Sequence, residues 1–244
     1  MIVSENSESG NPIYRYDDVK PKEFTPAFGE EENIETISKH IEQNIGEIES
    51  VFHEIVSDLV HIDVHWIKPT NDFPFHCLVT SGMSDKPMTV PEGLEEYRFA
   101  ELCILLPSDW NIDQDAFKDE NNYWPVRWLK TIARFPHEYD TWVGHGHTIP
   151  NGEHADPFAE NTKFGCMLLL PSLTLSPEFY NLKINEDKTI NFYCLYPLYK
   201  EEMDFKLKKG IDRLLDRFEK FHVSDIVNVT RQNSCLKKGL FGFW

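Results

Sequence analysis

Histidines concentrate in one stretch, residues 137–158, which reads HEYDTWVGHGHTIPNGEHADPF and holds four of the ten histidines of the chain. Imidazole nitrogens and carboxylate oxygens are common zinc ligands, and a catalytic zinc ion typically uses three protein ligands. His145 and His147 are two residues apart, so an extended backbone points both side chains to the same side. Together with His154, or with an acid such as Asp156, they could complete a three-ligand zinc site.

The same stretch has the composition of a long surface loop. Its glycines, prolines, asparagine and aspartates favour an irregular backbone, and loops of this kind often carry function. In this second interpretation the glycines shape a bend, and the histidines hydrogen-bond to the backbone instead of holding an ion. The residues expected to form a partner-binding surface are Trp142, His145, His147, Asn151, His154 and Asp156.

Sequence motifs for other chemistries are absent. There is no H-E-x-x-H or C-x-x-C motif, and Ser81-Gly82-Met83-Ser84 lacks the G-x-S-x-G elbow of hydrolases. Gly144-His145-Gly146 is not a dinucleotide-binding G-x-G-x-x-G, and no phosphate-binding loop is present. Glu101 is expected to be a capping or edge residue of a strand. These motifs leave no catalytic constellation, so we expect no catalytic residue, cofactor or metal. The alternative that stays open is a zinc-type, metal-dependent hydrolase that uses residues 137–158.

The charge balance constrains the class of partner. Acidic residues number 41 against 24 basic ones, which gives a formal net charge of −17. Such a surface repels phosphate backbones, so nucleic-acid binding is not expected. An acidic surface suits a basic protein partner, because opposite charges accelerate encounter. Solubility alone also explains such a charge, and more often does.

The sequence predicts a cytoplasmic protein that is not embedded in a membrane. No apolar run approaches the roughly 18 residues needed to cross a bilayer, and the first residues lack the basic and apolar regions of a signal peptide. The five cysteines are odd in number and form no C-x-x-C pair. Four of them lie in apolar runs, so we expect buried, reduced thiols.

The hydrophobic pattern predicts an α+β fold. Isoleucines at helical spacing predict a helix from Ile34 to about Ile55, and a second helix is expected to begin at Pro125 and end before Pro136. A final helix is expected over residues 200–221. Because strands follow one another without regular alternation with helices, we predict a mixed, largely antiparallel sheet of about five to seven strands flanked by helices. The predicted strands cover residues 59–67, 75–80, 100–106, 164–170 and 189–199.

A second set of candidate ligands lies in the first predicted strand. His61, Asp63 and His65 alternate with apolar residues, so an extended backbone places all three on one face. This face could hold a metal ion, but a half-solvated strand face is the interpretation that we prefer.

Several strings resemble the bacterial suppressor-of-fused domain over about residues 30–235. The residues that carry the resemblance are Thr80-Ser81-Gly82-Met83-Ser84, Ala100-Glu101-Leu102, Leu106-Pro107, Trp128-Leu129, Ala133-Arg134-Phe135-Pro136-His137-Glu138-Tyr139, Trp142, Gly146-His147-Thr148-Ile149-Pro150-Asn151-Gly152, Phe192-Tyr193 and Pro197-Leu198-Tyr199. The resemblance implies a single domain over residues 31–235. Residues 1–30 have no hydrophobic periodicity and are predicted to form an arm, and residues 236–244 are left as a tail.

The functions known in this family are protein-binding functions. The resemblance implies no enzyme activity and supplies no catalytic residues. The animal member restrains Gli transcription factors by gripping a short peptide between two domains, and this chain is too short to contain the second domain. Bacterial relatives are associated with polymorphic toxin systems and are thought to act as immunity proteins. The resemblance therefore implies a protein-binding module, with a basic toxin domain as the partner it would neutralise.

Overall fold

The computed structural model describes residues 3–16, 24, 26–54 and 57–236. Within these ranges, no helix is both long enough and apolar enough to cross a membrane. The strands are β1 (Val3–Asn6), β2 (Pro12–Tyr14), β3 (Ile48–Phe52), β4 (Asp63–Ile67), β5 (Phe75–Ser81), β6 (Ala100–Pro107), β7 (Thr148–Pro150), β8 (Phe164–Leu170), β9 (Asn181–Lys183) and β10 (Thr189–Tyr199). The α-helices are α1 (Glu31–Asn44), α2 (Glu120–Glu138), α3 (Lys200–Lys209) and α4 (Ile211–Phe221).

One mixed sheet organises the molecule. Its strand order is β3-β4-β5-β6-β10-β8-β7, and β9 adds to β10 outside this path. The pairing of β10 with β6 is parallel, whereas the other pairings in the sheet are antiparallel. The predicted α+β class with a largely antiparallel sheet is confirmed, and the described sheet has eight strands, one more than expected.

Helices cover both faces of the sheet. On one face, Trp124 and Leu129 of α2 pack with Leu78 and Ile104 in a single apolar cluster. The second cluster contains residues of α1 and α4, and it holds the alternate strand positions such as Cys103. Because both sheet faces are buried, the central strands are continuous apolar runs. The four cysteines in such runs are buried free thiols, as predicted.

The first predicted helix was too long and the first predicted strand began too early. α1 ends at Asn44, and Ile48–Phe52 forms the edge strand β3 instead of continuing the helix to Ile55. Gly46 costs a helix interior about 1 kcal/mol relative to alanine, and the β-branched residues that follow favour a strand. The strand predicted from residue 59 is regular only from Asp63 to Ile67.

The prolines of α2 do not mark its ends, contrary to prediction. Asp119 caps the helix, its side chain accepting a hydrogen bond from the Asn121 amide at 2.9 Å, and this is a preferred N-cap residue. Pro125 lies inside the helix and cannot bond back to the Asn121 carbonyl. That carbonyl instead accepts from the Asn161 side chain at 3.0 Å. The helix also passes Pro136 and ends at Glu138.

The single helix predicted over residues 200–221 is two helices. Gly210 separates α3 from α4 and has φ 89° and ψ 166°, a conformation that side chains rarely adopt. The break lets α4 turn so that Leu214 and Phe218 face the sheet.

The predicted N-terminal arm contains a hairpin, β1–β2, that contacts the main body. The Ser9 amide donates to the Leu207 carbonyl at 3.1 Å, and Tyr16 shares a 2.8 Å hydrogen bond with Thr141. Residues 1–2, 17–23 and 25 of the predicted arm lie outside the described residues. The same is true of the predicted C-terminal tail beyond Leu236.

Candidate functional site

The histidine-rich stretch leaves α2, forms the edge strand β7 and returns into β8. Backbone hydrogen bonds hold it along β8. Among them, Gly146 donates to Leu169 at 2.8 Å, Leu169 to His147 at 3.0 Å, and Asn151 to Gly165 at 2.8 Å. This loop therefore has a defined conformation set by the neighbouring strand.

Trp142 and His147 are paired within the loop. Their ring centroids are 4.4 Å apart in an edge-to-face arrangement, a favourable geometry for aromatic rings. Burial lowers the pKa of His147 to about 4, helped by the positive charge of Lys206 and by His145. Lys206 in turn donates to the Thr148 hydroxyl at 3.1 Å. His147 is consequently neutral at physiological pH and packs against Trp142.

Asn151 shapes the second half of the loop. Its side-chain amide donates to the backbone carbonyls of Asp156 at 2.8 Å and Pro157 at 3.3 Å. The backbone carbonyl of Asn151 accepts from the Asp156 amide at 2.9 Å. Beneath this turn, a Cβ atom added to Gly165 would lie 1.9 Å from the Ala155 carbonyl oxygen. Only glycine at 165 allows the loop to lie this close to β8.

The six predicted binding residues divide into two groups. Trp142, His147 and Asn151 are partly buried and hold the loop in shape, whereas His145, His154 and Asp156 are exposed. These positions stay predictions as binding residues. Among the described residues, three His, Cys, Asp or Glu donor atoms come within 4.8 Å of one another at one place, which lies outside residues 137–158. The three-ligand zinc arrangement considered for this loop is not formed in the structure.

A buried cluster of hydrogen bonds beside α2 joins residues from several of the segments that carry the family resemblance. Glu101 is fully buried and accepts from the Thr80 hydroxyl at 2.6 Å, and from the Ser84 amide at 2.9 Å and hydroxyl at 2.7 Å. Burial raises its pKa to about 7. His137 at the end of α2 donates to the Met83 carbonyl at 3.0 Å. Glu101 was expected to be a capping or edge residue. It is not an edge residue, because it is fully buried, and its carboxylate accepts from the amide and hydroxyl of Ser84 in the short helix Met83–Asp85.

Within the part of the chain that the structure describes, the one convergent ligand group is His53, His61 and Asp63. His53 Nδ1 lies 2.8 Å from one carboxylate oxygen of Asp63, and His61 Nε2 lies 3.1 Å from the other. The half-solvated face predicted for this strand was wrong, because Asp63 and His65 are both buried. His65 bonds to the Ser81 hydroxyl at 2.9 Å and takes no part in the group.

Sequence reasoning included two of these ligands and missed His53. The alternation of His61, Asp63 and His65 was the available signal. His53 joins the group because β3 pairs antiparallel with β4, with Phe52 opposite Val64. That pairing brings residues ten positions apart into contact, and no local spacing rule reports it.

The fold and the loop together define an α+β domain on one mixed sheet, with its candidate binding residues on a loop and an edge strand. The chain belongs to the suppressor of fused (SUFU) family, whose model matches residues 58–232. No curated protein sequence matches it.

Solved structures show the same fold at low sequence identity. A putative SUFU homolog from Neisseria gonorrhoeae FA 1090 is 15% identical with a TM-score of 0.62, over 84% of this chain and 98% of that one. A structure described as the Sufu–Fu complex is 14% identical with a TM-score of 0.57, over 86% and 93%. Drosophila Suppressor of Fused is 15% identical with a TM-score of 0.55, over 83% of this chain and 51% of that one.

Proposed function

We propose that this protein is a protein-binding module and that its partner docks on the exposed face of residues 137–158. The observation that carries the proposal is the build of this loop. Its backbone is fixed by hydrogen bonds to β8, while His145, His154 and Asp156 remain exposed. A surface that is ordered before binding loses little conformational entropy when a partner docks.

The strand beside this loop adds to the proposed surface. β7 lies at the end of the described strand order and pairs there with β8 alone. An edge strand presents unpaired backbone groups, and proteins recognise extended segments through such edges. Family membership supports binding as the role, since one structure of this fold is that of a complex between Sufu and Fu.

The partner we propose is a basic toxin domain, which this protein would neutralise as an immunity protein. The formal charge of −17 supports this choice, because it favours encounter with a basic protein and disfavours nucleic acid. This role requires binding but no enzymatic activity, and the proposal includes no catalytic step.

Affinity capture from the native host tests the docking surface. The tagged wild-type chain is compared with a triple variant, His145→Ala with His154→Ala and Asp156→Ala, whose changes are all at exposed positions. The matched control is Glu42→Ala with Gln43→Ala, exposed on α1. We expect a basic protein to be captured by the wild type and by the control, and to be depleted at least about tenfold with the triple variant.

Growth rescue tests the immunity role separately. The captured partner is expressed in a host that lacks this protein, with the wild type or the triple variant supplied on a second plasmid. A toxin arrests growth, and the wild type restores it where the triple variant does not. Equal capture by all three proteins would argue against docking on this loop, and a captured partner that is harmless would argue against the immunity role alone.

A further inference from the structure

We propose that His53, His61 and Asp63 form a binding site for a divalent transition-metal ion of the zinc class. The ligand atoms are His53 Nδ1, His61 Nε2 and a carboxylate oxygen of Asp63, which all lie within 4.8 Å of one another. The site is at the corner where the end of β3 meets the start of β4. It is separate from the proposed docking loop, and the inference does not depend on the proposed function.

The exposure of the three ligands increases from Asp63 to His61 to His53, as expected of an ion site that opens to solvent. The side chain of Asp63 is 3% exposed, that of His61 is 19% exposed and that of His53 is 68% exposed. The carboxylate thus forms the base of the site and His53 forms its mouth. This leaves the open position of a three-ligand zinc site to water or to a group from outside.

The hydrogen bonds behind His61 determine which of its nitrogens carries a proton. The Ser57 hydroxyl donates its one hydrogen to Glu54 at 2.7 Å. Its oxygen lies 2.8 Å from His61 Nδ1 and must therefore accept from that nitrogen. In the neutral imidazole, Nε2 then carries only a lone pair.

That lone pair faces an acceptor. His61 Nε2 lies 3.1 Å from a carboxylate oxygen of Asp63, and two acceptors at this distance repel unless a cation lies between them. A metal ion between them uses both lone pairs as ligands. His53 Nδ1, which is hydrogen-bonded to the other oxygen of the same carboxylate at 2.8 Å, is placed to supply the third ligand.

The surrounding groups hold the ligands in place, as outer-shell partners of metal sites do. Asp63 accepts from the Glu54 amide at 3.2 Å, and the Glu54 carboxylate accepts from the Ile62 amide at 3.2 Å. Arg134 forms an ion pair with Glu54, and Lys130 lies 3.8 Å from it. Arg134 thus lies against Glu54, whereas the positive charge of Lys130 also acts on Asp63. The Asp63 carboxylate itself contacts the two imidazoles.

The ligand set selects the class of ion. Two imidazoles and one carboxylate suit zinc and its transition-metal neighbours, whereas magnesium and calcium prefer sets composed only of oxygen. Donors bound to a tetrahedral zinc ion at about 2.0–2.1 Å lie roughly 3.3 Å apart. The observed 2.8 and 3.1 Å separations therefore open slightly on binding, which the exposed His53 ring permits.

Isothermal titration of the chelator-treated full chain with zinc chloride tests the site, with magnesium chloride as the ion control. We expect one zinc ion per chain, no heat from magnesium and a higher thermal midpoint with zinc, because an ion that binds only the folded state stabilises it. His53→Ala should weaken zinc binding at least about tenfold. His154→Ala, which removes another exposed histidine, should bind zinc like the wild type.

His53→Ala also removes the 2.8 Å contact with the buried Asp63 carboxylate, so the metal-free thermal midpoint of each variant is measured first. Zinc binding is then compared at a temperature at which every variant is folded, and Asp63→Asn serves as a second ligand variant. The inference is overturned if the wild type takes up no zinc. It is equally overturned if His53→Ala binds zinc as tightly as the wild type. A loss of zinc affinity in His154→Ala as large as that in His53→Ala would also overturn it, because it would indicate dispersed binding to surface histidines.

Discussion

At the scale of single residues, Glu101 is a carboxyl group whose pKa its surroundings raise strongly. Its carboxyl group is fully buried, and its three hydrogen-bond contacts come from two hydroxyls and one backbone amide. Burial outweighs these bonds and raises its pKa from 4.5 to about 7. The folded state therefore holds this proton more tightly than the unfolded chain does.

This difference predicts a pH dependence of stability. A pKa raised by folding contributes stability that is complete below about pH 4.5 and is lost as the pH rises through about 7. The wild type should lose about 3 kcal/mol relative to Glu101→Gln across this window. Urea unfolding of both proteins at a series of pH values measures the difference. Glu42→Gln, at an exposed position, is the control for removing a carboxyl group, and a wild type that responds to pH exactly as Glu101→Gln does would contradict the assignment.

Residue identity predicted only part of the candidate site. Trp142, His147 and Asn151 were predicted as binding residues of a loop, and their contacts show that they hold its shape. Sequence spacing could not separate them from His145 and His154, because exposure depends on how the loop lies against β8. His53 was missed for a similar reason, since its neighbours are supplied by strand pairing.

At the scale of elements, Gly165 sets how closely the loop approaches β8. A Cβ atom there would lie 1.9 Å from the Ala155 carbonyl oxygen, and backbone atoms cannot move aside as a flexible side chain can. Gly152, in the same loop, has a φ of 69° but nothing within 4 Å of an added Cβ. Substituting the two glycines by alanine therefore compares the cost of close packing, at Gly165, with the cost of the backbone conformation, at Gly152.

Gly165→Ala is expected to destabilise the protein by about 3 kcal/mol, the upper end for forcing extra atoms into a packed site. Gly152→Ala should cost only about 1 kcal/mol, from the left-handed conformation alone. Urea unfolding measures both free energies. Displacement of the loop should also weaken partner capture by Gly165→Ala. Equal costs for the two variants would mean that the loop does not rest on β8 as described.

The types of the elements were predicted better than their ends. Strands β5, β6, β8 and β10 were predicted within a residue or two of their observed bounds, because buried strands are long apolar runs. The errors fell where tertiary contacts override local signals. Pro125 is tolerated inside α2 because Asn161 satisfies the carbonyl that it leaves free, and this partner is forty positions away.

At the scale of the whole molecule, the α+β class followed from the order of the elements, but the arrangement of the sheet did not. β10 lies between β6 and β8 and runs parallel to β6. Its long apolar sequence predicts a central strand and leaves its neighbours undetermined, since register and order depend on pairing between distant segments. The loop that we propose for docking lies at the β7 edge as a consequence of this order.

The net charge of −17 is also a property of the whole chain, and it predicts salt-dependent association. Raising the salt concentration from about 0.1 M to about 1 M shortens the screening length from about 10 Å to about 3 Å. The association rate with the captured basic partner should fall about tenfold or more, while the dissociation rate, set by short-range contacts, changes much less. Stopped-flow mixing measures the association rate and surface plasmon resonance measures the dissociation rate.

The control variant Glu42→Ala with Gln43→Ala should keep the same salt dependence, because it removes one charge of many. An association rate indifferent to salt would mean that the acidic surface does not steer the partner, and docking would then rest on the shape of the loop alone.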